Sequence, residues 1–137
     1  MAYLYLHHNQ LSSSIPPEIG NLSNLFKLDL SNNNLTGLTP STIGNIEKLT
    51  LLHIYEKHLS GSIPQEIGNL KSLIYVSLHT NYLSGLIPTS LGALSNLTVL
   101  HMYNIQLSGT IPEELGNLKS KKDLELSRNK LIGTVPN

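Results

Sequence analysis

The sequence predicts a repeat solenoid of the α/β type: a right-handed superhelix of six stacked coils, with one parallel β-sheet on the concave face and short 3₁₀ turns and loops on the convex side. Three observations lead to this prediction. The sequence repeats with a fixed 24-residue period and no insertion. Apolar residues alternate over a short segment of each repeat, and glycine and proline then recur at fixed places.

The repeats account for the whole chain of 137 residues as one domain, which is an ordinary length for a single unit. Aligned by eye, they give the consensus LxxLxLxxNxLSGxIPxxIGNLxx, whose places are numbered here as positions 1 to 24. The coils span residues 1–24, 25–48, 49–72, 73–96, 97–120 and 121–137.

Positions 4 and 6 predict a β-strand in every coil. They are apolar, as in Leu28 and Leu30, and the residues between and beside them point to the opposite face of a strand. Stacking the coils places these strands side by side in parallel at about 4.8 Å. The alternation therefore predicts a sheet with one buried and one open face.

The corners and turns come next in each coil. Glycine at position 13, as in Gly37 and Gly85, allows a sharp bend after the strand. Proline at position 16, as in Pro40 and Pro88, excludes a continuous helix, and the PxxIGNL segment that begins there is predicted to form a short 3₁₀ turn.

Position 9 predicts a ladder of side-chain amides. Asparagine both donates and accepts hydrogen bonds, so stacked copies can satisfy the backbone where each coil turns. The asparagines are Asn9, Asn33, Asn81 and Asn129.

Some coils depart from the repeat. At position 9, Lys57 and Ile105 replace the amide, so we expect local loosening; Lys57 is either a ligand contact or a tolerated defect. Elsewhere, Ser13 replaces the corner glycine, Thr39 an apolar residue and Lys121 the leading leucine.

Phrases such as LYLHHNQLSSSIPPEIGNLSNL and LSGSIPQEIGNLKSL resemble the plant-specific class of leucine-rich repeats. That class occurs in plant receptor kinases, receptor-like proteins and polygalacturonase inhibitors. The resemblance implies an extracellular or cell-surface location as part of a larger receptor. Such ectodomains are closed by caps that often carry paired cysteines; this chain has no cysteine and no cap segment, so we expect self-association through exposed coil edges.

The charge balance of the chain argues against two classes of ligand. Nine basic and nine acidic residues give a formal charge of zero, which does not favour nucleic acid or anionic lipid as a ligand. The sequence given shows no signal-peptide pattern and no apolar run long enough to span a membrane. No cofactor is implied.

The open face of the predicted sheet is the expected binding surface, because nearly every tyrosine and histidine lies on or beside it. Aromatic side chains supply large contact area at low entropic cost and are enriched at interfaces. Mutual stacking that stabilises the sheet is the alternative explanation. The predicted ligand-binding residues are Tyr3, Tyr5, His7, Asp29, His53, Tyr55, Tyr75, His79, His101, Tyr103 and Glu125.

Neither catalysis nor a metal site is predicted. Asp29, His53 and Ser77 follow one another at position 5 like a hydrolytic triad, but an open sheet offers no oxyanion hole and no pocket. His53, His79 and His101 lack a further acid or thiol to complete a metal site. Three sequons make Asn21, Asn34 and Asn96 candidate glycosylation sites.

The leading functional prediction is a ligand-binding part of a receptor-like kinase ectodomain that recognises a peptide or protein, with a co-receptor as a further partner. The alternatives are a polygalacturonase inhibitor and, less favoured, an ice-binding repeat protein. Neighbouring acids are expected to raise the pKa of His53 (from Asp29) and of His101 (from Glu125), whereas His79 should stay neutral to lower pH.

Overall fold

The computed structural model describes residues 1–136 and shows a solenoid with a six-stranded parallel sheet on its concave face. Pairing joins equivalent positions of adjacent coils, for example Leu28 with Leu52 and Leu52 with Val76, so the repeat period sets the register. This concave sheet is the predicted one. Its strands are Tyr3–Tyr5, Lys27–Asp29, Leu51–His53, Tyr75–Ser77, Val99–His101 and Asp123–Glu125.

A second parallel sheet lies beyond the first bend of each coil, and the sequence analysis did not predict it. In this lateral sheet Thr36 pairs with His58 and Ser60 with Tyr82, so each strand is shifted by two places relative to the repeat period. Polar residues and glycine dominate the segment, which hides the apolar alternation typical of strands. Its strands are Ser12–Ser13, Asn34–Leu38, His58–Ser62, Tyr82–Leu86 and Gln106–Ser108.

The convex side consists of short 3₁₀ turns, as predicted, and residues 1–136 contain no α-helix. Each turn follows a proline at position 16 in extended conformation, and its third residue is a buried Ile or Leu. None of these turns could cross a membrane. The turns are Pro17–Asn21, Ser41–Asn45, Gln65–Asn69, Thr89–Ala93 and Glu113–Asn117.

Two rows of residues have positive φ. The corner glycines do so as predicted, with Gly37 at 78° and Gly85 at 82°, and Ser13 keeps the same bend at 67°. The second row, at position 8, was not predicted, because its members share no residue type; Thr80 is the β-branched member, at 56°. This second row consists of His8, Asn32, Glu56, Thr80, Asn104 and Arg128.

The asparagine ladder is confirmed. The Asn33 side-chain nitrogen donates to the carbonyls of Leu6 at 2.8 Å and Leu30 at 3.0 Å, while its oxygen accepts from the Leu11 amide at 3.0 Å. Asn81 and Asn129 repeat this pattern. Each amide therefore fastens its own coil to the preceding one.

The core is a continuous apolar column between the sheets and the turns. At position 4, Leu28, Leu52 and Val76 are fully buried. In the described part of the chain, contacts between secondary-structure elements join only equivalent elements of adjacent coils. Each coil is therefore stabilised by its immediate neighbours alone.

Candidate functional site: the concave face

Six aromatic and imidazole rings form the centre of the concave face, on the third to fifth coils. We call them the central ring cluster: His53, Tyr55, Tyr75, His79, His101 and Tyr103. All six are half-buried. The repeat period predicts this grouping, because equivalent positions of adjacent coils are neighbours in space.

The rings at position 7 form a stack. His79 lies between Tyr55 and Tyr103, with ring centroids 4.5 and 4.3 Å away and interplanar angles of 16° and 7°. The imidazole Nδ1 is 3.0 Å from the Thr80 hydroxyl, which fixes the ring. Three aligned rings with one hydrogen-bonded member form a pre-ordered surface, which limits the side-chain entropy lost when a ligand binds.

The other three rings meet edge to face. Tyr75 contacts His53 at a centroid distance of 4.6 Å and His101 at 5.8 Å, with interplanar angles of 75° and 83°. Ser77 lies on the same sheet, is 1% exposed, and its hydroxyl has no partner in the described residues. The cluster therefore combines apolar ring surface with a buried polar group at its floor.

Asp29 joins the cluster to the first coil. Its Oδ2 is 3.5 Å from Nδ1 of both His7 and His53. Burial tends to raise the pKa of Asp29, but hydrogen bonds from the Ser31 hydroxyl and amide, together with the two histidines, hold it below its usual value. Asp29 is therefore a fixed negative charge beside the rings.

On the first coil the candidate residues Tyr3, Tyr5 and His7 form a more open continuation of the surface. Tyr3 and Tyr5 stack at a centroid distance of 6.2 Å and are 56% and 52% exposed. The Tyr5 ring meets His7 at 6.1 Å. Lys27 Nζ lies 5.8 Å from the centre of the Tyr3 ring, within the range of a cation–π contact.

The expected rise in the pKa of His53 is wrong. Burial beneath the neighbouring rings disfavours the imidazolium and outweighs the Asp29 carboxylate, so the pKa of His53 is lowered. The expectation for His79 is confirmed, since burial lowers its pKa as well. The ring contacts that bury His53 were not visible in the sequence.

His101 lies opposite Glu125 in the sheet, as expected, but the acid that contacts its imidazole is a different one. Its Nε2 lies 2.8 Å from Oδ2 of Asp123, whereas a Glu125 side-chain oxygen accepts a hydrogen bond from the Ser127 amide at 3.0 Å. Hydrogen bonds from Ser127 also lower the pKa of Glu125. Asp123 thus joins the surface although the sequence analysis did not select it; its position opposite Val99, beside the strand that carries His101, was the available signal.

The geometry does not assemble a hydrolytic triad. His53 approaches Asp29, but its Nε2 and the Ser77 hydroxyl are each buried with no hydrogen-bond partner in residues 1–136, so the serine–histidine bond of a triad is not formed. The described residues also contain no group of three side chains arranged to hold a metal ion. The arrangement is suited to binding through contact area and charge.

The three sequon asparagines are exposed: Asn21, Asn34 and Asn96. They lie away from the central ring cluster, since Asn21 ends a convex turn and Asn34 begins a lateral strand. The Asn96 amide nitrogen donates to the Lys71 carbonyl at 3.1 Å. Glycans at these places would leave the concave face open, and their presence stays a prediction.

This chain is similar in sequence or structure to several known plant proteins. A 55-residue stretch, 39% of this chain, is 47% identical to Receptor-like protein 39 of Arabidopsis thaliana and spans 6% of that protein. The Arabidopsis receptor kinase HAESA, solved in complex with the peptide hormone IDA and the co-receptor SERK1, superposes with a TM-score of 0.95 at 41% identity, over 98% of this chain and 23% of that one. A plant ice-binding protein superposes at 0.92 with 35% identity, over 97% and 44% of the two chains.

The chain thus spans a small part of the receptors that it matches. Its parallel sheets, corner glycines, asparagine ladder and 3₁₀ turns are those of the repeat that the sequence resembled. The family described as leucine-rich repeat region matches residues 1–130. The chain belongs to the leucine-rich repeat family.

Proposed function

We propose that this chain is a ligand-binding segment of a plant receptor ectodomain that holds an extended peptide or a protein surface on its concave face and performs no catalysis. The central ring cluster is the observation that supports this proposal most strongly. Its rings are half-buried and mutually packed, and they offer one continuous surface over three coils. HAESA, the similar receptor, binds a peptide hormone together with a co-receptor, which supports the same two kinds of partner here.

The dimensions of the face suit an extended chain. Six strands separated by about 4.8 Å span about 24 Å, the length of about seven extended residues. Ligand atoms over the cluster would contact the stacked rings at position 7 and Tyr75 beside them. Asp29 at one end, with Asp123 and Glu125 at the other, would favour cationic groups at the ends of the ligand.

The location that follows from this proposal is extracellular or at the cell surface. The exposed asparagines Asn21, Asn34 and Asn96 support it, because such sequons are modified in secreted proteins.

Selection of a displayed peptide library against the chain tests the proposal. A selected peptide should bind with at least tenfold lower affinity to Tyr75→Ala and to His79→Ala. The matched control is Leu86→Ala, which removes a large exposed side chain from the end of a lateral strand and should leave affinity unchanged. Equal affinity of the concave variants and the native chain would contradict the proposal.

Ice binding is a second candidate, favoured by the likeness to a plant ice-binding protein. Its physical requirement is a flat and regular surface. The concave face is uneven and charged, with stacked rings beside Asp29 and Asp123, so we do not favour it. Thermal hysteresis of a solution of the chain would reverse this preference.

Inhibition of a polygalacturonase, the remaining alternative, would appear as a stoichiometric complex with that enzyme.

A further inference from the structure

A groove opens at the rim where the concave sheet meets the lateral sheet, in the third to fifth coils. This rim groove has a volume of about 350 Å³. Three consecutive rungs of the position 9 ladder line it: Lys57, Asn81 and Ile105. Both departures from the asparagine ladder thus lie at one place on the surface.

Lys57 is the unusual residue of the groove. The residue is 4% exposed, and its Nζ is buried with no hydrogen-bond partner in residues 1–136. An ammonium in that state has lost its hydration without a compensating acceptor, which is unfavourable in a protein interior. Asp29 is the acid whose charge acts on Lys57, but its oxygens contact His7, His53 and Ser31.

Burial lowers the pKa of Lys57 to about 8, from an ordinary value of 10.5. The group therefore still carries its proton at neutral and mildly acidic pH. Two changes could relieve the buried charge: loss of the proton at higher pH, or an acceptor from outside. The four-carbon side chain can reach an outside acceptor by turning its ammonium outward, as buried lysines near a surface do.

The groove offers no acid of its own to that ammonium. None of its lining residues is Asp or Glu, and apart from Ile105 they are polar or aromatic. His58 and Tyr82 stack there with centroids 5.7 Å apart, and together with Ile105 they give the groove an apolar part of its lining. A ligand for this site therefore combines one negative charge with an apolar group.

We propose that the rim groove binds a carboxylate ligand, whose oxygens pair with the Lys57 ammonium after that side chain turns outward and whose apolar part lies against His58 and Tyr82. The carboxylate has two possible sources, a free small organic acid or the carboxyl end of a peptide that continues from the concave face. Thr80 and Asn104, which line the groove, each lie three residues beyond the end of a concave strand, so a peptide can reach the groove without leaving the surface.

The test uses the chain with ¹⁵N-labelled lysine, observed by NMR at pH 6, and four probes. Benzoate represents the free acid and N-acetylphenylalanine the peptide end; benzamide and N-acetylphenylalaninamide are their uncharged counterparts. At least one carboxylate should shift the Lys57 ammonium signal saturably, and the amides should not. A response to benzoate identifies a small acid as sufficient, and a response to N-acetylphenylalanine alone identifies a peptide end.

Lys57→Met and Lys57→Asn should each weaken binding of the effective probe at least tenfold, followed in uniformly ¹⁵N-labelled protein through the amide signals of the groove. Lys48→Met is the control, because it removes an exposed lysine that contacts Asn24 on the convex side. The Asn variant restores a ladder residue, so it also excludes misfolding as the cause. Absence of a saturable shift with either carboxylate, or unchanged affinity in Lys57→Met, would overturn the proposal. The variants differ from those that test the concave face, so either proposal can fail alone.

Discussion

A single side chain at position 9 connects two coils. Asn33, Asn81 and Asn129 each accept from a backbone amide of the preceding coil and donate to carbonyls of two coils. Lysine and isoleucine have no side-chain oxygen, so Lys57 and Ile105 cannot accept in this way. In addition, Lys57 places an unpartnered ammonium in the interior.

Replacing Lys57 by Asn should therefore raise the free energy of unfolding by about 1–2 kcal/mol, since it restores the ladder bonds and removes a buried charge. Urea denaturation at neutral pH measures the change. Lys57→Met separates the two causes, because it removes the charge without supplying an amide; we expect a smaller gain. Equal midpoints for the Asn and Met variants would show that the ladder bond contributes nothing at this coil.

Ser13 is a second position where one residue departs from its row. It keeps a φ of 67°, a conformation that the other coils assign to glycine and that is strained for a side chain. Ser13→Gly should stabilise the chain by about 1 kcal/mol, measured as a rise in the denaturant midpoint. Gly61→Ala is the opposite control, since it adds a Cβ at a φ of 74° against the Leu38 side chain. A lower midpoint for Ser13→Gly would contradict the strain argument.

At the level of elements, the 3₁₀ turns stack because position 20 is glycine in each of the first five coils. A Cβ added to Gly44 would lie 2.6 Å from the Glu66 carbonyl oxygen and 2.7 Å from its Cβ. Gly20, Gly68 and Gly92 meet the next coil in the same way. These four glycines are required for close approach between turns, whereas those at position 13 are favoured for a positive φ that Ser13 also adopts.

Gly44→Ala should lower the free energy of unfolding by about 2 kcal/mol, because the added methyl group must displace backbone rather than a flexible side chain. Thermal unfolding followed by circular dichroism is a sufficient measurement. Ser41→Ala in the same turn serves as the matched control, since Ser41 is exposed. A variant as stable as the native chain would mean that the turns separate without cost.

The elements also show where sequence reasoning succeeded. Apolar alternation at Leu28 and Leu30 predicted the concave sheet, and the proline before each turn predicted the 3₁₀ segments. The lateral sheet was missed because its strands hold serine, glycine and exposed leucine such as Leu38, so that backbone hydrogen bonds between coils, and not an apolar pattern, define them. The repeat period alone predicts which residues are neighbours, but it does not predict which backbone groups form hydrogen bonds.

The same distinction applies to the candidate site. The fixed period predicted that Tyr55, His79 and Tyr103 are neighbours, and the structure stacks them. It could not predict that His101 turns toward Asp123 and not Glu125, because both acids lie on the adjacent strand and a side-chain torsion decides between them. Nor could it give the degree of ring burial that lowers the pKa of His53.

For the whole molecule, the lowered pKa values of His53 and His79 predict a loss of stability on mild acidification. His53 and His79 have folded-state pKa values below 6.5, so the unfolded chain binds protons more readily. The stability that they contribute is complete above about pH 6.5 and is lost as pH falls through their folded values. Urea midpoints should therefore be lower at pH 5.5 than at pH 7.5.

The double variant His53→Gln with His79→Gln should show a smaller pH effect than the native chain, because Gln does not titrate. His58→Gln is the control, since His58 is exposed on the lateral sheet and its equivalent in the fifth coil is Gln106. If stability is unchanged or rises on going to pH 5.5, the burial that we assign to the two imidazoles has no energetic consequence.

Since contacts between elements of residues 1–136 join only adjacent coils, a coil can be added or removed without changing the contacts among the others. Any internal repeat unit begins and ends at equivalent points of the path, so a recombination event that adds or removes the coding length of one coil leaves every remaining junction with a compatible neighbour. The length of the concave binding face can thus change in steps of about 4.8 Å, because each added coil packs against its neighbours in the same way as the existing coils. The residues at positions 3, 5 and 7 of the inserted coil would then be free to diverge toward a new ligand.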